Sequence, residues 1–363
     1  MGGAVPDALS PRHLAQRLAQ IGLLVAAAVL LLATLPGLGD VRARFSDARP
    51  GWVALALALE LGSILSFVVV FRGVFCVRMP WRFSAEVGLS EQAANVLLPA
   101  GGAGGLALGA WALNRAGMSS GHIARRSVAF FLITSSMNFI CIVLAGVAVL
   151  TGVLPSTGSW ALAAVPAALA LLTIGLVLAL PRVLPEHPGP FEHAGRGARA
   201  RHWLTRAGAT VAEGVRDSVW LLRSGRPSVI GGALGYLAFD IAALEAAFHA
   251  FGAAPQTGDF LLAYVLGQLG GLVPIPGGVG GTDGGLVAAL ALYGTPLASA
   301  TAAVLAYRAF QLGLPALSGT VAFARLRRTL QTDIRAAAGC EPLAAPVRTL
   351  STAAPAESRE LAA

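Results

Sequence analysis

Apolar residues run nearly unbroken through six stretches of the chain: 21–35, 52–75, 127–150, 160–180, 228–251 and 297–323. A helix rises about 1.5 Å per residue, so about 20 apolar residues cross the roughly 30 Å hydrocarbon layer of a bilayer. The pattern predicts six membrane-spanning helices. The first run resembles the apolar part of a signal peptide, but no small-x-small cleavage site directly follows it and further spans come after. It reads as an uncleaved span. Two more apolar stretches, 83–113 and 259–293, are interrupted in the middle. The first breaks at Leu98-Pro99-Ala100-Gly101-Gly102-Ala103-Gly104-Gly105, the second at Ile275-Pro276-Gly277-Gly278-Val279-Gly280-Gly281-Thr282-Asp283-Gly284-Gly285. Proline removes a helix donor and paired glycines favour leaving the helix. The arms of the first are about 16 and 10 residues, or about 24 and 15 Å, and both fall short of the bilayer core. Each interrupted stretch is therefore expected to be a re-entrant hairpin.

Peptide groups outside a helix are tolerated at bilayer depth only where protein buries them or a wet cavity lines them. Two broken segments at corresponding places in two halves point to a binding site. The expected fold is all-α: a polytopic membrane helical bundle of about six full spans plus two re-entrant broken hairpins, arranged as an inverted repeat.

Composition agrees. Of the 363 residues, 56% are hydrophobic and 12% charged, and the mean hydropathy is +0.71; soluble domains carry about 25% charge. Every one of the 26 basic residues is arginine, and the net charge is +8. The arginines gather in loops and tails, where the positive-inside bias and anionic lipid account for them, so nucleic acid is not the expected partner. The expected layout is a cytoplasmic N-terminal segment (1–19), a transmembrane domain (20–325) containing a basic cytoplasmic loop (181–227), and a disordered cytoplasmic tail (326–363). Both termini are then cytoplasmic, in the cell membrane. The first hairpin enters from inside and the second from outside. Arg42, Arg44 and Arg49 resist this orientation, since they fall in the first outside loop. Within the basic loop Leu204, Val211, Val215, Ser218 and Leu222 recur at helical spacing, which suits a surface amphipathic helix or a solvated connector. Cys76, Cys141 and Cys340 lie far apart and are expected to be packing residues.

The chemistry expected is binding. Helix ends freed by Gly101, Gly102, Gly104, Gly105 and by Gly277, Gly278, Gly280, Gly281, next to Pro99 and Pro276, carry free N–H groups that attract anions. Arg308, inside the last span, and Arg126 could hold a phosphate bidentately; Arg125 and Arg126 could instead snorkel at the interface. Asp283 could cap the helix after the second break, pair with Arg308, or titrate. Glu60, Glu91, Asp240 and Glu245 are expensive in hydrocarbon and so are functional candidates, with Glu91 and Asn95 one turn apart before the first break. His249 reads as packing. No nucleotide loop, Cys/His metal spacing or Gly-x-Ser-x-Gly elbow is present, so neither an enzyme nor a cofactor is expected.

At these residues the chain resembles the family of lysylphosphatidylglycerol synthase transmembrane regions, or flippase-like membrane proteins. The likeness rests on Asn95 with Leu98-Pro99 and the glycines to Gly105, on Gly117 in Asn114-Arg115-Ala116-Gly117, and on Arg125-Arg126. In the second half it rests on Pro276-Gly277-Gly278-Val279-Gly280, Asp283, Gly294 and Tyr307-Arg308. It covers about residues 15–325. The family usually has glutamate where Asp283 stands and often a charge where Leu106 to Gly109 are neutral. About 40 residues after Phe323 are too few for the aminoacyl-transferase domain of the synthases. The resemblance implies a lipid translocase for a phosphate-bearing or polyprenyl-type lipid, with membrane lipid as its partner. The alternative is an accessory protein that binds a lipid- or envelope-glycan-synthesis enzyme.

Overall fold

The computed structural model describes residues 46–98, 103–184, 196–252, 254–272, 278, 280–332 and 340. Among them are ten α-helices and one short 3-10 turn. They are α1 (Pro50–Phe75), α2 (Trp81–Leu97), α3 (Ala103–Arg115), α4 (Ser120–Leu150), α5 (Trp160–Val183), α6 (Arg196–Arg223), α7 (Pro227–Phe251), α8 (Thr257–Gln268), α9 (Gly281–Leu292) and α10 (Leu297–Thr332). Five of these, α1, α4, α5, α7 and α10, are long and apolar enough to cross a membrane. The sixth expected span, 21–35, lies outside the described residues.

Local chemistry sets the boundaries. Pro50 and Pro227 stand in the first turns of α1 and α7, where a missing N–H costs nothing. The Ser119 hydroxyl accepts the His122 N–H and caps α4. Gly117 and Gly294 take the left-handed conformation that closes the hairpins onto α4 and α10. Leu65, Phe131, Leu144, Leu176 and Leu317 are exposed, as a hydrocarbon-facing belt requires.

α1 and α7 form the central pair, and they run antiparallel. Gly73 sits against Ser228, Gly232 against the Val70 backbone, Gly235 against Ser66 and Gly62 against Phe239, while Trp52 stacks on His249 at 4.6 Å. Glycines let the two backbones approach, the usual solution where no hydrophobic force drives helices together. The other contacts keep their form when the halves are exchanged: α2 packs on α10 as α8 packs on α4, and α2–α3 pair as α8–α9 do. Since the equivalent helices α1 and α7 point in opposite directions, the halves are inverted. The α2–α3 hairpin starts and ends where α1 finishes and α4 begins, with His122 reaching the Phe75 carbonyl. The α8–α9 hairpin starts and ends at the opposite end, where Tyr293 donates to the Leu162 carbonyl at 2.7 Å. At about 26, 20, 18 and 18 Å, α2, α3, α8 and α9 are too short to span. Asp259 fixes the entry of α8 by accepting from Ser156 Oγ and from Thr157 N–H and Oγ.

Three expectations change. The stretch 181–227 contains a 28-residue helix, α6, but its buried face is Ala209, Ala212, Val215, Ser218 and Leu221, while Leu204 is exposed. It packs on α4 and α5 rather than only on lipid. Arg125 pairs with Glu213 and Arg126 with Asp217, each at 3.6 Å. Second, α10 continues to Thr332, past the boundary expected at Arg325, because Leu326 and Leu330 bury one turn apart in the same core as Phe323; residues 333–339 and 341–363 lie outside the described set. Third, Cys76 and Cys340 are not separate packing residues but joined in a disulfide, and Cys141 is free. One thiol is therefore expected to react in the denatured, unreduced protein and three after reduction; three before reduction would contradict the bond.

Candidate functional site

Glu60 on α1, Asp240 on α7 and Arg308 on α10 each lie about 15–17 Å from the same end of the bundle, close to mid-depth. They line one cavity of about 190 Å³, together with Ser63, Gln92, Asn95, Tyr236 and Gln311 and the apolar Phe67, Val96, Leu312 and Pro315. That volume holds several waters, and the polar lining gives them partners. The walls come from α1 and α2 of the first half and α7 and α10 of the second. Pro315 also removes the helical donor that the Gln311 carbonyl would otherwise receive.

Asp240 is the hub. Both of its carboxylate oxygens accept the Tyr307 hydroxyl, at 2.9 and 2.8 Å, and Gln311 Nε2, at 3.3 and 3.4 Å. Tyr264 of α8 donates to it as well. Gln311 Nε2 also reaches the Tyr307 hydroxyl at 2.5 Å, and its Oε1 accepts from Arg308 Nη1. Arg308 Nε donates to Asp283 Oδ1 at 2.5 Å, and Asp283 Oδ2 accepts the Gly280 N–H at 2.8 Å. Asp283 thus does two of the three things expected of it: it caps α9 and pairs with Arg308. The network ties the tip of the second hairpin to three helices of the second half, and through the cavity to the first. Glu60 is 3% exposed and Gln92 8%; among the described residues Glu60 Oε2 and Gln92 Nε2 have no hydrogen-bond partner.

The described glycines serve mainly close approach. Gly105 gives its N–H to Asn95 Oδ1 at 2.9 Å, and a Cβ there would meet the Glu91 carbonyl at 2.5 Å and the Asn95 side chain. Gly104 sits against Leu98, and Gly109 against Glu91 Oε2. In the second hairpin Gly270 lies on the Gly281 carbonyl and Gly285 on the Gly267 carbonyl. Gly278 adds a backbone reason: its φ is +66, and a Cβ there would meet Thr282 Oγ1 and stand 3.5 Å from Arg308 Nη2. Gly105→Ala is expected to cost about 1–3 kcal/mol by overpacking, read as a lower melting temperature in detergent; an unchanged temperature would contradict the packing.

Asn95, Asp283 and Arg308 therefore come together, and Gly278 and Gly280 lie beside them. Pro99, Gly101, Gly102, Pro276 and Gly277 lie outside the described residues. Arg126 is not among the residues lining the cavity; it pairs with Asp217 and faces Trp220. Glu245 is exposed on α7, and His249 packs on Trp52 as expected. Sequence reasoning gave no role to Tyr236, Tyr264, Tyr307, Gln311 or Gln92. The one available signal was the spacing Tyr307, Arg308, Gln311, which puts three polar groups on about one turn of an apolar span.

No match is found among curated proteins. The family model described as the lysylphosphatidylglycerol synthase TM region matches residues 19–319, a range that holds both hairpins and every residue of the cavity. The chain is a multi-pass membrane protein and belongs to that family.

Proposed function

We propose that the protein is a lipid translocase of the cell membrane that moves a phosphate-bearing or polyprenyl-type lipid between leaflets, and that it is not an enzyme. The observation that carries this reading is the hydrated-sized polar cavity at mid-depth, walled by both inverted halves and touched by the tip of the second hairpin. A headgroup crossing a bilayer needs such a shielded polar station, because bare charge in hydrocarbon costs several kcal/mol. Arg308 is the cation on that wall, and an entering phosphate competes with Asp283 for its guanidinium fork. The apolar tails stay in the surrounding lipid. The end of the bundle carrying Arg78, Arg82, Arg115, Arg125, Arg325 and Arg328 faces the cytoplasm in this reading.

Reconstitution in liposomes with fluorescent phosphatidylglycerol tests it. The wild type is expected to speed the loss of label protection, and Arg308→Ala to return it to the protein-free rate. A wild type no faster than empty vesicles for any anionic lipid would refute the proposal. A second reading, an accessory protein that docks a lipid- or glycan-synthesis enzyme, is favoured by Leu204 and Trp220, which are exposed on α6. Crosslinking and co-purification of one such enzyme, lost on Trp220→Ala, would support it.

A further inference from the structure

Glu60 and Asp240 line the same cavity from opposite halves, and both are buried. Two carboxylates in one buried cavity repel each other, and a proton on one of them removes the repulsion. The partners decide where that proton resides. Asp240 takes the hydroxyls of Tyr264 and Tyr307 and the amide of Gln311 on its two oxygens, which fits an ionised acceptor. Among the described residues Glu60 has no such donors and its buried Oε2 has no partner; Gln92 Nε2, from α2, is buried and unpartnered among them too.

The charged and titratable groups around Glu60 come from every wall. Among the described residues they are Tyr236 and Asp240 from α7, Tyr264 from α8, and Tyr307 and Arg308 from α10, with Asp283 of α9 paired to Arg308; the polar residues that α2 brings to the cavity lining are the neutral Gln92 and Asn95. Ionised together, Glu60, Asp240 and Asp283 would outnumber Arg308 and repel an incoming phosphate. A proton on Glu60 removes one of those charges and offers the cavity a carboxyl O–H donor.

We propose that Glu60, in one cavity with Asp240, is a proton-binding site that couples lipid movement to protons, one proton travelling with each anionic headgroup. This rests on the translocase reading. The proton enters Glu60 from the water on one side and leaves to water on the other when the headgroup departs. Proton and phosphate favour each other's binding, and such coupling is reciprocal by necessity.

Two measurements test it separately. Infrared spectra of the wild type in lipid should contain the carbonyl stretch of a protonated carboxyl that shifts in deuterated water and disappears in Glu60→Gln, while Glu245→Gln, outside the cavity, keeps it. In proteoliposomes holding fluorescent phosphatidylglycerol, a gradient of one pH unit should shift the steady-state leaflet ratio about tenfold toward the alkaline side, because one unit is a factor of ten in proton activity. Glu245→Gln should keep that response. The proposal is overturned by a wild type that flips lipid to the same ratio with and without the gradient. A response that follows sodium at constant pH, or a carboxyl spectrum left unchanged by Glu60→Gln, would also overturn it. Absence of any flip would sink the translocase reading instead, and the infrared arm would still decide the proton pair.

Discussion

Replacing Arg308 by alanine is expected to bring lipid flip down to the protein-free rate and to lower stability by about 3–5 kcal/mol, the range for breaking a buried ion pair from one side. The pair is well shielded, with side-chain exposures of 8% for Arg308 and 21% for Asp283. Removing the guanidinium leaves Asp283, among the described residues, with its capping bond to Gly280 and strips Gln311 Oε1 of its Arg308 donor. Arg308→Lys keeps the charge but is expected to fail as well. A compact ammonium lacks the planar fork that reaches Asp283 from Nε and Gln311 from Nη1. The double variant Arg308→Ala/Asp283→Ala should lose less stability than the two single losses summed, since residues in contact do not add. Thermal unfolding in detergent and the fluorescent flip assay check both halves of this. Additive losses would show that the pair is not energetically coupled.

The second large effect is expected at Asp240. Asp240→Ala leaves the buried hydroxyls of Tyr264 and Tyr307 without their acceptor and takes one of two acceptors from Gln311 Nε2, which keeps the Tyr307 hydroxyl. Hydrogen bonds inside membrane proteins average about 0.6 kcal/mol and reach about 1.7, so three of them predict a loss of about 2–4 kcal/mol. Asp240→Asn should restore only part of it, because an amide keeps one acceptor oxygen where the carboxylate has two. Lipid flip should fall to the protein-free rate in the alanine variant. An Asp240→Ala protein that melts at the wild-type temperature would mean the hub contributes nothing.

How much of this could be read from residues alone depends on how local the signal is. The two hairpins were legible because proline and paired glycines sit inside apolar stretches, and arms that short have few other places to go. Inversion followed from counting spans, and the antiparallel α1–α7 pair bears it out. Asp283 was legible as a cap, since it stands three residues after Gly280, and as a partner of Arg308, since few cations lie so deep. The hub was not legible as a hub. Asp240 was singled out for its charge, but Tyr264 and Tyr307 look like ordinary aromatic residues of apolar helices, and only packing three helices together makes them its donors. Arg126 stands beside Arg125 at a span boundary, so its sequence fits a surface role and a buried one equally; the acids of α6 decide it. The Cys76–Cys340 bond joins residues 264 positions apart, and nothing short of the fold brings such distant thiols within bonding range. Leu326 and Leu330 escaped notice because arginines crowd the turn around them.

The central claim is that both broken hairpins serve one polar, water-accessible interior between inverted halves. Thiol labelling from the aqueous phase tests it most directly, in a Cys141→Ala background. Gln92→Cys on the cavity wall and Leu65→Cys on the lipid face lie at about the same depth, about 15–17 Å from the same end. A small hydrophilic thiol reagent is expected to modify Gln92→Cys and to leave Leu65→Cys untouched. Equal protection of the two would mean the interior is as dry as the bilayer, and the account would fall.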